Sequence, residues 1–101
     1  GAVTPTSQAP APISCSSSGS RGPIVAHPDG NRAIFFSYDT QRIYTYDPAT
    51  NIWTDRGASP AGWNDNVNTV CCTVPDLGVI LMITRNSGGT EFYSRIYKPN
   101  F

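Results

Sequence analysis

Two stretches of this chain repeat one another at a fixed offset, and a chain that repeats itself folds by stacking like units rather than around one irregular core. Pro28-Asp29 is followed by Ala33-Ile34-Phe35-Phe36, and Pro75-Asp76 by Ile80-Leu81-Met82-Ile83, so both landmarks recur 47 residues on. Around the first copy, Pro23-Ile24-Val25-Ala26 predicts a short strand, and the Pro and Gly of residues 27–31 supply the dihedrals of a tight turn. Residues 33–38, rich in β-branched and aromatic side chains, form its hairpin partner. After the polar break Asp39-Thr40-Gln41 a third strand runs over 42–46, with Arg42, Tyr44 and Tyr46 on one side and Ile43 and Thr45 on the other. Residues 47–51 make the next turn, and Ile52-Trp53-Thr54 starts a fourth, outer strand. In the second copy, residues 69–74 replace the Pro23 strand and 91–97 the third strand. The chain therefore reads as all-β, with about two antiparallel meanders of three to four strands. A Ser/Thr/Pro-rich arm spans 1–20, a first β unit 21–56, a connecting loop 57–68 and a second β unit 69–101.

Composition narrows the functional classes. Seven Lys and Arg balance seven Asp and Glu, and the charges are scattered singly, so no patch tracks phosphates and nucleic acid is excluded as a partner. The longest apolar run, 79–83, is one buried strand long, far short of the roughly 20 residues of a membrane helix. Insertion into a membrane is not expected. Residues 1–20 have little to bury and read as a tether, with O-linked sugars on the Ser/Thr/Pro tract or strand donation by Ala2-Val3-Thr4 and Ile13 as further uses. The first residues lack a basic segment and an apolar core, so residue 1 is either a mature N-terminus, as removal of a signal peptide would leave it, or an arbitrary boundary of the segment. No Asn-x-Ser/Thr sequon is present. A secreted, extracellular protein fits these features.

The segment Ile43-Tyr44-Thr45-Tyr46-Asp47-Pro48-Ala49-Thr50-Asn51-Ile52-Trp53 resembles the third-to-fourth-strand part of a kelch blade, in which a Tyr-Asp-Pro turn leads to a Trp. Residues 75–82 are similar to the hairpin that precedes the family's Gly-Gly pair. The resemblance covers residues 22–101 and implies a β-propeller blade architecture with Tyr46 and Trp53 as packing residues. It departs from the pattern in three places. Ser37-Tyr38 stands where two glycines are usual, Gly88-Gly89 falls late, and the second unit lacks a matching Trp. Propellers close with about four to eight blades, so two units make an incomplete propeller or a small open β assembly. The missing blades belong to a longer chain, to identical chains that share blades, or to neighbours joined at exposed edges.

The chemistry-bearing residues are few. Three cysteines leave one unpaired within the chain. Cys15 bonded to Cys71 or Cys72 would staple the arm to the second unit, and a vicinal Cys71–Cys72 bond is a further possibility. Alternatively, the adjacent pair points to opposite faces of a strand and packs as small hydrophobes. His27 is the single histidine and reads as a solvated turn residue, so no zinc site, Ser-His-Asp triad or other cofactor site is expected within the chain. The copper enzymes built on kelch-type propellers gather Tyr and His from several blades, which one histidine does not supply. Trp63, Asn64, Asp65, Asn66 and Asn68 offer oxygen ligands and an aromatic platform for calcium or sugar, without EF-hand spacing. Two functions follow as expectations. One is a non-catalytic interaction module that presents loops, above all residues 55–68, to a protein or glycan partner. The other is a structural subunit of an extracellular filament or oligomer, joined by its arm and open sheet edges through self-association.

Overall fold

Tight turns fold each half of the chain back on itself. The computed structural model describes residues 22–37, 40–60, 69–85 and 90–101. In the first turn Asn31 N–H donates to Asp29 Oδ1 at 2.8 Å and Gly30 N–H to the His27 carbonyl at 2.9 Å. Its counterpart is a 3-10 turn, Pro75–Leu77, closed by Gly78 at φ +67°, a left-handed conformation that costs glycine nothing.

These turns generate seven strands: β1 (Ile24–Ala26), β2 (Ala33–Ser37), β3 (Arg42–Asp47), β4 (Ile52–Ala58), β5 (Thr69–Val74), β6 (Val79–Arg85) and β7 (Phe92–Tyr97). They form two antiparallel sheets, β1-β2-β3-β4 and β5-β6-β7, each in sequence order and neither closed into a barrel. The all-β fold of two meanders, one of four strands and one of three, matches the reading of the sequence. Strand β4 runs past the expected end of the unit at residue 56, so that residues 57 and 58 of the expected loop continue the strand. Asp55 is held by Arg42 across the sheet, Nε to Oδ2 at 2.8 Å, and Arg56 Nε donates to Thr45 Oγ1 at 2.9 Å. Gly57, at φ +101°, sits where the β3–β4 register shifts.

The registers show how deep the repeat goes. Ile24↔Phe35, Val25↔Ile34 and Ala26↔Ala33 in the first sheet correspond to Cys71↔Met82, Cys72↔Leu81 and Thr73↔Ile80 in the second, every residue displaced by 47. Ala33↔Tyr46 corresponds in the ladder to Ile80↔Tyr97, with the third strand displaced further because the connection before β7 is longer. Strands β1-β2-β3 and β5-β6-β7 are thus the same three-stranded unit built twice, with β4 added to the first.

They pack face to face. Ile34, Phe36 and Ile43 of the first sheet are buried against Ile80 and Met82 of the second, with Val25, Cys71, Tyr97 and Phe101 around them. The Phe36 and Tyr97 rings meet edge to face at 5.9 Å. Each fully buried aliphatic or aromatic side chain contributes about 1.5–3 kcal/mol. At the inner edge β1 lies beside β5, where Thr73 Oγ1–H donates to the Ala26 carbonyl.

Candidate interaction surface

A sheet unit built twice can stack in two ways, front to front or front to back. Alternation along each strand decides which. In the first sheet the residues facing the second are Val25, Ile34, Phe36 and Ile43. Their register-equivalents in the second sheet, Cys72, Leu81, Ile83 and Ser94, face away, and the inward residues there are Cys71, Ile80, Met82 and Tyr97. The front of the first unit therefore packs on the back of the second. Two faces remain: the back of the first sheet and the front of the second.

Both are apolar. On the front of the second sheet Val70, Ile83, Ile96 and Phe92 are 64, 37, 70 and 71% exposed. Strand β6 is apolar on both sides, Val79-Ile80-Leu81-Met82-Ile83, the pattern of a strand covered on two faces. Here one of those faces is open. On the back of the first sheet Ile24 is exposed beside Phe35, Tyr44, Tyr46 and Trp53. Phe35 stacks on Tyr44 at 6.4 Å and Tyr46 tilts against Trp53 at 5.0 Å. Tyr44 is buried although it lies on this open side, since Phe35 covers its ring and its hydroxyl lies 3.2 Å from Thr40 Oγ1. A shallow pocket of about 390 Å³ opens there, lined by Ile24, Ala26, Ala33, Tyr46, Pro48 and the Asn31-Arg32 end of the turn.

A polar clamp holds the stack together. His27 is buried rather than solvated as its turn setting suggested. Its Nδ1 accepts the Asp29 N–H at 3.0 Å, which leaves Nε2 to donate to the Phe101 carbonyl at 2.9 Å. Arg32 donates to the same carbonyl at 2.7 Å and to Asp29 Oδ2 at 3.0 Å. The Arg56 guanidinium lies 5.3 Å from the centre of the Phe101 ring. The segment after β7 is thereby fastened to the β1–β2 turn. No local sequence signal marks this, because the partners lie 74 residues apart.

The cysteines fall on opposite faces. Cys71 packs on the core, where burial pushes its thiol up to about 11, and Cys72 is exposed on the open front. Both are free thiols. Cys15 lies outside the described residues, as do Trp63, Asn64, Asp65, Asn66 and Asn68. Among the described residues no three His, Cys, Asp or Glu side chains converge on a point where a metal would sit. The polar groups brought together, the His27–Asp29–Arg32 clamp and the Arg42–Asp55 pair, bind parts of this chain to one another. Among the described residues, the two open sheet faces carry the exposed large apolar side chains Ile24, Val70, Ile83, Phe92 and Ile96. No protein-family model matches the chain, and no curated protein or solved structure matches it.

Proposed function

We propose that the chain is a non-catalytic structural and interaction module of kelch-propeller type, working outside the cell as a building block whose open faces take further β-sheets. The observation that carries this reading is the front-to-back stack: the exposed faces are the repeat-equivalents of the buried ones, so each end of the stack presents a surface built to be covered. Exposed contiguous apolar patches on soluble chains mark interaction sites. The kelch reading is supported by the 47-residue spacing, within the family's range of roughly 40–50, and by the Tyr46-Asp47-Pro48 turn leading to Trp53. The Ser/Thr/Pro composition of residues 1–20 supports an extracellular setting. Light scattering and negative-stain imaging of the native particle test the proposal. Particles whose mass is a whole multiple of the 10.9-kDa chain are expected. A protein that stays at 10.9 kDa at every concentration overturns it.

A further inference from the structure

The occupant of the two open faces is specified by the faces themselves. Resting on the assembly reading above, we infer that a second copy of this chain stacks the back of its first sheet onto the front of the second sheet, repeating between molecules the contact already present within one.

The inference follows from residue equivalences. Within the chain, the front of one unit, with Val25, Ile34 and Phe36, meets the back of the next, with Cys71, Ile80, Met82 and Tyr97. Displaced by one unit, the same contact brings Cys72, Leu81 and Ile83 of one molecule against Ile24, Ala33, Phe35 and Tyr46 of another. These two sets are the residues left facing outward. The shallow pocket at Ile24, Ala33 and Tyr46 is the receiving hollow, at the position where Cys71, Ile80 and Tyr97 receive the first sheet inside the molecule. The Phe36–Tyr97 edge-to-face contact becomes Ile83 on Tyr46. The inter-copy contact is the weaker of the two. Isoleucine replaces a phenylalanine at its centre, and Ala26, the equivalent of Thr73, has no hydroxyl to bond a carbonyl across the inner edge.

A contact between two different faces is heterologous, with no twofold axis relating the partners. It closes into a ring if the rotation per copy divides a circle and otherwise runs on as an open polymer. Other occupants make different predictions. A front-to-front dimer of this chain uses Ile83 and Ile96 on both sides and leaves Ile24 out. A foreign sheet leaves the purified chain monomeric.

Complementation separates these cases. Ile83→Asp spoils the front and Ile24→Asp the back. Both residues are exposed, and near-UV circular dichroism reports whether each variant keeps its packed aromatics. Ile96→Asp serves as an independent front variant. Masses are read by light scattering after size exclusion. The wild-type chain is expected to assemble, each variant alone to run at 10.9 kDa, and a one-to-one mixture of Ile83→Asp with Ile24→Asp to give a particle of two chains. The one good back meets the one good front, and growth then stops. A wild-type chain that assembles while Ile24→Asp still assembles, or a mixture that stays monomeric, overturns the head-to-tail contact but leaves the assembly reading standing. A wild-type chain that never assembles overturns both.

Discussion

Phe36→Ala tests whether the two sheets share one core. Phe36 is fully buried, touches Ile43 and Ile34 on its own sheet's side of the core, and meets Tyr97 of the other sheet at 5.9 Å. Truncating such a phenylalanine costs about 3–5 kcal/mol in lost transfer energy and cavity. A domain of this length holds only about 5–15 kcal/mol in total, so the change removes a large fraction of it. Tyr97→Ala, at a half-buried position, costs about half of what a fully buried side chain contributes, roughly 1–1.5 kcal/mol. The double variant is less destabilised than the sum by the ring–ring coupling, about 0.5–1.5 kcal/mol. Urea unfolding in a Trp63→Phe background, followed by far-UV circular dichroism and by tryptophan fluorescence, supplies the readout, since Trp53, then the one tryptophan, sits in the first sheet and the dichroism sees both. Coincident transitions and a non-zero coupling are expected. Two separate transitions, or a Phe36→Ala cost below about 1 kcal/mol, would refute the shared core.

Three further outcomes follow from the geometry. In the Ile24→Asp variant, whose spoiled back keeps the front of its neighbours uncovered, Cys72 reacts with iodoacetamide at pH 8 well before Cys71, whose buried thiol is pushed up to about 11; equal labelling rates in peptide maps of that variant would contradict the face assignment. Slight burial works to raise the pKa of Asp29, but the Asn31 N–H and Arg32 outweigh it and hold the carboxyl below the usual aspartate range. Its stabilising effect is therefore full above the unfolded pKa and is lost as pH falls through the folded one, so Asp29→Asn flattens the loss of Tm between about pH 5 and 2. An unchanged slope in thermal melts counts against the clamp. Gly57→Ala, forced to φ +101° where no neighbour blocks a Cβ, costs about 1–3 kcal/mol from backbone strain alone, and a neutral melt would show that the strand end relaxes instead.

Most strands were legible because alternation and turn chemistry act locally. Residues 33–37 carry apolar and aromatic side chains between a Gly-containing turn and a polar break, and 69–74 carry β-branched residues and cysteines before Pro75. The end of β4 was hidden because Asp55-Arg56-Gly57-Ala58 is polar and contains glycine, and what holds it extended is its pairing with β3 together with Arg42 and Thr45 across the sheet. His27 read as solvent-exposed because the groups that bury it come from the far end of the chain. The 47-residue offset was visible in the sequence, yet front-to-back stacking was not, since alternation tells which residues share a face and is silent about which face meets which. The one hint was β6, apolar at every position from 79 to 83, which asked for cover on both sides.

The agreement of the first-hairpin registers at 47 residues bears on how such a chain lengthens. A coding segment for one unit carries both a plug and its socket, so copying it in tandem creates a compatible junction without any new surface having to arise. Deleting one unit rejoins the same two surfaces. Unit number can drift by whole repeats, and the connections between strands can lengthen, as between β6 and β7, while a one-residue slip within a strand breaks the alternation that sorts plug from socket.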